Sequence, residues 1–134
     1  MQIYVTSVFV DDQEEALAFY SKKLGFQLKR DAAAGGGRWL TVTAQGNPKG
    51  PELLLEPSDH PAVGPFRKAL MDDGIPAASF KVDDLDATFK RLSDDGVKFT
   101  QEPTDAGDVK IGVFNDTQGN LIQLVEMAEG NQSN

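Results

Sequence analysis

An internal repeat constrains the fold of this chain more than any other feature of its sequence. The tripeptide VDD at residues 10–12 recurs at residues 82–84, and each copy lies between a strand-like stretch and a helix-like pattern. Three further strand-like stretches follow in each half, so each half is predicted to fold as a βαβββ module. A module of about 65 residues cannot easily bury both faces of its sheet alone. The prediction is therefore an α+β fold in which two βαβββ modules pair and enclose a cleft.

Local signals delimit the elements of the first module. Asp12 is a good N-cap residue for the helix, and Gly25 stands where a helix end favours a left-handed backbone. The glycine-rich segment 32–37 is interpreted as a flexible turn. The strands of this module are predicted at residues 3–10, 26–30, 38–44 and 52–56.

The second module repeats this order after a linker that contains a short helix at residues 66–71. Asp84 is predicted to cap its helix and Gly96 to end it. Its strands are predicted at residues 77–82, 98–101, 109–115 and 121–126. The whole chain, residues 1–134, is predicted to be one domain with module one at about 1–56, the linker at 57–75 and module two at about 76–128. The polar segment 130–134 is expected to be frayed.

Charge and composition exclude several classes of partner. The chain carries 21 acidic against 13 basic residues, for a net charge of −8, and such a surface repels nucleic acid and anionic lipid. The acidic surface serves either solubility alone or a preference for cationic ligands. No cysteine is present, no basic signal region opens the chain, and no apolar run approaches a membrane span. A cytoplasmic protein without nucleic-acid or membrane partners is expected.

Two sequence signatures, one near each end of the chain, resemble a known family. The opening signature combines residues 8–12 (VFVDD), the helix residues Phe19 and Tyr20, and residues 24–26 (LGF). The closing signature, residues 114–124 (FNDTQGNLIQL), is similar to the pattern D-P-x-G-N-x-I-E-L. Both resemble the vicinal oxygen chelate superfamily, which includes glyoxalases, extradiol dioxygenases and bleomycin-resistance proteins. The resemblance implies the paired-module cleft and a homodimer.

The metal-ligand positions of that family are mostly lost in this chain. By the resemblance they correspond to Val5, Glu56, Ala77 and Gln123, of which only Glu56 is a strong ligand. A catalytic divalent metal usually needs about three protein ligands. No metal and no other cofactor is therefore expected.

The remaining candidates for a binding site were chosen by strand periodicity and by the resemblance. Glu52 shares a strand face with Glu56, and the face is either part of the cleft or exposed to solvent. Trp39 is either a platform for ligand stacking or a partly buried residue at a sheet edge. His60 is interpreted as an exposed loop residue rather than a general base. The predicted ligand-binding residues are Ser7, Phe9, Trp39, Glu56, Phe114 and Gln123, with Glu56 also a candidate general base.

Two functions are compatible with these residues. The first is a protein that binds a small organic molecule without metal, as the bleomycin-resistance branch does. The alternative is a glyoxalase-like lyase or isomerase, or an extradiol dioxygenase-like enzyme. Family membership favours the enzyme, whereas the vacant ligand positions favour the binding protein.

Overall fold

The computed structural model describes residues 1–128, which form two compact units. The first unit comprises residues 1–68 together with 117–119, and the second comprises residues 69–116 and the described part of residues 120–134. Each unit contains one four-stranded sheet. None of the helices within residues 1–128 has the length and apolar character needed to cross a bilayer. The polar segment 130–134 lies outside the described residues.

The first unit has the predicted order of one strand, one helical segment and three strands. Its elements are β1 (Val5–Val10), α1 (Gln13–Ala18), a π-helical turn (Phe19–Lys23), β2 (Gln27–Ala34), β3 (Gly37–Thr43) and β4 (Glu52–Pro57). The sheet has the order β1-β4-β3-β2, with β1 parallel to β4 and the other pairs antiparallel. Helix α2 (Val63–Asp72) begins in this unit and ends in the second.

Local chemistry explains the bounds of the helical segment. The carboxylate of Asp12 accepts a hydrogen bond from the backbone N–H of Glu15 at 3.0 Å, which confirms the predicted N-cap. Gly25 ends the segment with φ of 86°, a conformation that other residues rarely adopt. Buried Ala16, Phe19 and Tyr20 project from the helical segment. The apolar face of the sheet is buried as well, and its residues are Val8, Val10, Leu40, Val42, Leu53 and Leu55.

The predicted flexible turn at residues 32–37 is shorter than expected. Strand β2 continues to Ala34, which pairs with Gly37, and Ala32 pairs with Trp39. Only Gly35 and Gly36 form the turn, both with positive φ. Two-residue hairpins with positive φ match the twist of the strands that they join, so the pairing extends to the turn itself. The glycines thus close a regular hairpin.

The second unit repeats the same order of elements. The elements are β5 (Ala78–Lys81), α3 (Leu85–Asp94), β6 (Phe99–Ala106), β7 (Val109–Asn115) and β8 (Leu121–Met127). The sheet has the order β5-β8-β7-β6, with β5 parallel to β8. The side chain of Asp84 caps α3 by accepting from the N–H of Ala87 at 3.0 Å, and Gly96 follows the helix with φ of 89°. The internal repeat therefore predicted the fold class correctly.

Candidate functional site

The second face of the first sheet carries most of the predicted site residues. Strands β1 and β4 pair in parallel, so that Ser7 lies opposite Leu54 and Phe9 lies opposite Glu56. We call this the polar face, because carboxylates and hydroxyls interrupt its apolar residues. Its central residues are Val5, Ser7, Phe9, Trp39, Thr41, Thr43, Glu52, Leu54 and Glu56.

Phe9, Glu56 and Trp39 lie at the same end of the polar face, and we call this group the row. Phe9 lies directly opposite Glu56. The β3–β4 pairing reaches Thr41–Leu54, and beyond it the side-chain amide of Gln13 bridges the two strands by donating to the carbonyl oxygens of Leu55 and Arg38 at 2.9 and 2.7 Å. Trp39 lies on the same face of β3 as Thr41, two residues along the strand. Trp39 is 36% exposed, and Phe9 and Glu56 are half-buried.

The carboxylate of Glu56 is not occupied by a neighbour. Its side chain makes no hydrogen bond or ion pair with any other residue in the range 1–128. A partly desolvated carboxylate without a counterion attracts a cation, and aromatic faces beside it attract the same kind of group. The row is therefore suited to a ligand that is cationic, aromatic or both.

Glu52 has a different role from Glu56, although both lie on the polar face. Glu52 is only 4% exposed, so the interpretation of a solvent-facing residue does not hold. Its carboxylate accepts a hydrogen bond from the hydroxyl of Thr41 at 2.9 Å and from Nε of Arg30 at 3.2 and 3.3 Å. These partners satisfy a buried charge that would otherwise be strongly unfavourable. Glu52 is thus a fixed counterion for Arg30.

The donors present do not fit the metal that the family pattern implies. In the second unit Gln123 lies opposite Ser79, and in the first unit the repeat-equivalent Ser7 lies opposite Leu54. The position in β4 that matches Gln123 is therefore Leu54, two residues before Glu56. Within residues 1–128, no three histidine, cysteine or acidic side chains come together as a metal site would require.

The structure places the other predicted residues in separate surroundings. Phe114 is fully buried in the second unit, with its ring centroid 5.6 Å from that of Phe99. Gln123 is half-buried and its amide nitrogen donates to the hydroxyl of Ser79 at 3.2 Å. His60 is exposed, and its Nδ1 accepts from the N–H of Ala62 at 3.0 Å. Of the six candidates, Phe9 and Glu56 are cross-strand neighbours, and Ser7 and Trp39 lie on the same face of the first sheet.

Two residues that sequence reasoning missed organise the end of β1. The side-chain oxygen of Gln118, which is 2% exposed, accepts from the backbone N–H groups of Asp11 and Asp12, both at 2.9 Å. The guanidinium of Arg67 donates to the carboxylate of Asp11 at 2.6 Å and to the carbonyl oxygens of Phe9 and Gln118. Gln118 fills the variable position of the closing signature, so no sequence signal marked it.

Asp11 is the titratable group of this cluster. A hydrogen bond from the hydroxyl of Ser58, at 2.6 Å, is the largest cause that lowers the pKa of Asp11, and the hydrogen bond from Arg67 is the second. Both donors stabilise the ionised carboxylate. Because Arg67 also binds the carbonyl of Phe9, the cluster fixes the backbone that carries one of the aromatic residues of the row.

Comparison with known proteins identifies the family. The model of the Glyoxalase/Bleomycin resistance protein/Dioxygenase superfamily matches residues 2–124. The chain belongs to this superfamily. It is 49% identical over 126 residues to the protein YurT of Bacillus subtilis (strain 168). The alignment covers 94% of this chain and 99% of YurT.

Solved structures of two similar proteins share the fold. UcmS2 has a TM-score of 0.81 and 32% identity, with 94% of this chain and 98% of UcmS2 covered. TnmS3, an antibiotic binding protein from Streptomyces sp. CB03234, has a TM-score of 0.79 and 30% identity, with 96% and 97% covered. The resemblance found in the two sequence signatures is therefore confirmed over nearly the whole chain.

Proposed function

We propose that this chain is a small-molecule-binding protein of the glyoxalase/bleomycin resistance type that works without a catalytic metal. The ligand is a small organic molecule that is cationic, aromatic or both, and it contacts Phe9, Glu56 and Trp39. The observation that carries the proposal is the unpaired, half-buried carboxylate of Glu56, which lies opposite Phe9 on the face that also carries Trp39. Ser7, on the same face, remains a predicted contact of this ligand, and Gln123 remains a prediction for the second unit.

Three further observations support a binding role. The similar structure TnmS3 is an antibiotic binding protein. The net charge of −8 raises the local concentration of cationic ligands. The positions that correspond to the metal ligands hold Val5 and Ala77, which have no donor atom in their side chains. A Lewis-acid mechanism would need donors at these positions.

A thermal-shift screen tests this function. Benzyltrimethylammonium and benzylammonium are compared with uncharged benzyl alcohol, with and without EDTA. A ligand present at a hundred times its dissociation constant adds about 2.7 kcal/mol to the free energy of unfolding, which raises the melting temperature by several degrees. We expect the cationic compounds to raise the melting temperature. This rise should be the same with and without EDTA, and it should be smaller in Glu56→Gln. Glu15→Gln, which removes an exposed carboxylate of the same unit, serves as the matched control and should bind normally.

The same protein preparation decides between binding and catalysis. An enzyme of the glyoxalase or dioxygenase type would consume a methylglyoxal–thiol adduct or a catechol, and EDTA would abolish that turnover. Elemental analysis of untagged protein would then find about one transition metal per chain. Turnover that survives EDTA but is lost in Glu56→Gln would instead identify Glu56 as a general base. Either result would contradict the proposal of a binding protein.

We further propose that the protein is a homodimer in the cytoplasm. The first sheet ends at β1 and β2 and the second at β5 and β6, and such edge strands favour pairing with another chain. Light scattering at tens of micromolar is expected to give twice the chain mass of 14.5 kDa. A monomer mass at that concentration would refute the dimer without affecting the assignment of the ligand row.

A further inference from the structure

A recess of about 380 Å³ lies at the opposite end of the first sheet from the Phe9–Glu56–Trp39 row. It is lined by residues 2–4, Lys29, Arg30, residues 48–50 and Glu52. Glu52 and Glu56 are four residues apart on β4, which separates the recess from the row by about 13 Å along the strand. The volume lies in the usual range of about 300–1,000 Å³ for small-molecule sites.

The charge of this recess is opposite to that of the chain as a whole. Lys29, Arg30 and Lys49 line it together with a single acidic residue, Glu52, although the chain carries a net charge of −8. Neither Lys29 nor Lys49 forms an ion pair with any residue in the described part of the chain. The recess therefore has a local excess of positive charge that the protein does not neutralise itself.

Arg30 is held in position for anion binding. Its Nε donates to both carboxylate oxygens of Glu52, a buried residue that Thr41 also fixes. The two terminal nitrogens of Arg30 make no hydrogen bond to any residue within 1–128, and its side chain is 49% exposed. A guanidinium fork that is pre-organised in this way suits a planar carboxylate, to which it donates two hydrogen bonds.

The remaining wall of the recess is apolar. Ile3 is 74% exposed and Tyr4 is 53% exposed, and Pro48 lies on the same lining. Exposed apolar side chains next to unpaired cations provide a surface for both parts of an amphipathic anion. A small inorganic anion would bind the cationic side chains but would leave this apolar surface exposed to water.

We infer that the recess binds a small organic anion in which a carboxylate is attached to an aromatic or apolar body. The carboxylate contacts Arg30, Lys29 and Lys49, and the apolar body lies against Ile3 and Tyr4. This assignment does not depend on the proposed function of the Phe9–Glu56–Trp39 row, because the two sites share no residue.

Titration of the ¹⁵N-labelled full chain with 2-naphthoate, followed by amide chemical shifts, tests the inference. We expect saturable shifts at residues 29–30 and 49–50, and none of comparable size with the uncharged 2-naphthamide. The double variant Lys29→Gln/Lys49→Gln should raise the dissociation constant about tenfold, as expected for the loss of charged hydrogen-bond donors. Lys22→Gln, at an exposed lysine outside the recess, is the matched control and should bind like the wild type.

Two additional arms separate the possible outcomes. Phenyl phosphate at the same concentrations determines whether the site prefers a carboxylate, and tighter binding of the phosphate would overturn the assigned ligand class. Glu56→Gln should leave 2-naphthoate binding unchanged, so that failure of the ligand row and failure of the recess can be told apart. The inference is refuted if 2-naphthamide shifts the same amides with equal affinity, or if the double variant binds 2-naphthoate as tightly as the wild type.

Discussion

Replacing Phe114 with alanine is expected to lower the free energy of unfolding by about 3–5 kcal/mol, the usual loss for a buried phenylalanine. The side chain of Phe114 is fully buried in the second unit, where its ring packs against Phe99 and that of Phe99 packs against Phe89. The truncation removes these contacts and leaves a cavity. Because domains of this size are stable by only about 5–15 kcal/mol, the variant should be close to unfolding at 37 °C.

Urea denaturation monitored by circular dichroism measures this loss as a lower midpoint at an unchanged slope. Phe114→Leu keeps most of the volume and should lose no more than about 1.5 kcal/mol. Trp39 is 36% exposed, so Trp39→Ala should lower stability less than Phe114→Ala does. It should weaken ligand binding more than Phe114→Ala does. A stable Phe114→Ala variant that fails to bind ligand would restore Phe114 to the predicted binding site.

Arg67→Met is expected to lower the free energy of unfolding by about 2–4 kcal/mol, because it removes several charge-assisted hydrogen bonds from a largely buried position. The side chain of Arg67 is 13% exposed, and its guanidinium donates to the carboxylate of Asp11 and to the carbonyls of Phe9 and Gln118. Arg67→Lys keeps the positive charge but not the several N–H donors of the guanidinium, so an intermediate loss of unfolding free energy is expected. Arg38→Met removes the exposed ion pairs with Glu14 and Asp31 and should be much milder.

The Arg67 variant should also change how stability depends on pH. The pKa of Asp11 is lowered by hydrogen bonds from Ser58 and Arg67, so the ionised carboxylate stabilises the fold above the unfolded pKa of about 3.9. This stabilisation is lost as the pH falls through the lowered pKa of the folded state. The difference between the wild type and Arg67→Met is therefore expected to shrink between pH 7 and pH 3. A difference that stays constant over this range would show that the ion pair with Asp11 contributes little.

Features of the fold that depend on residues close together in the sequence could be predicted from the sequence. Asp12 and Asp84 cap helices because each side chain bonds to a backbone N–H only three residues away. Gly25 and Gly96 end the helical segments because a positive φ is a local requirement. The repeat of these signals was sufficient to predict the order of elements in both units.

The polar face could not be predicted to the same depth, because its geometry depends on strand register. A bulge between Leu28 and Arg30 shifts Arg30 to the face of Thr41, whereas strict alternation would place it on the face of Leu28. The register likewise brings Glu56 beside Phe9, although counting from the sequence signatures aligned it with a metal ligand. Such register depends on contacts between distant strands, which periodicity within one strand does not report.

The first unit is discontinuous along the chain, and this has a consequence for any attempt to separate the two halves. Residues 1–68 contain all four strands of the first sheet, yet Gln118, the acceptor for the N–H groups of Asp11 and Asp12, comes from a segment more than 100 residues further on. Arg67 also packs against this segment, since a side chain at Gly119 would approach its Nη1 to 3.1 Å. A fragment that ends at residue 68 would lack this acceptor, so the two N–H groups would be left to water. The start of its helix would be held less well than in the full chain.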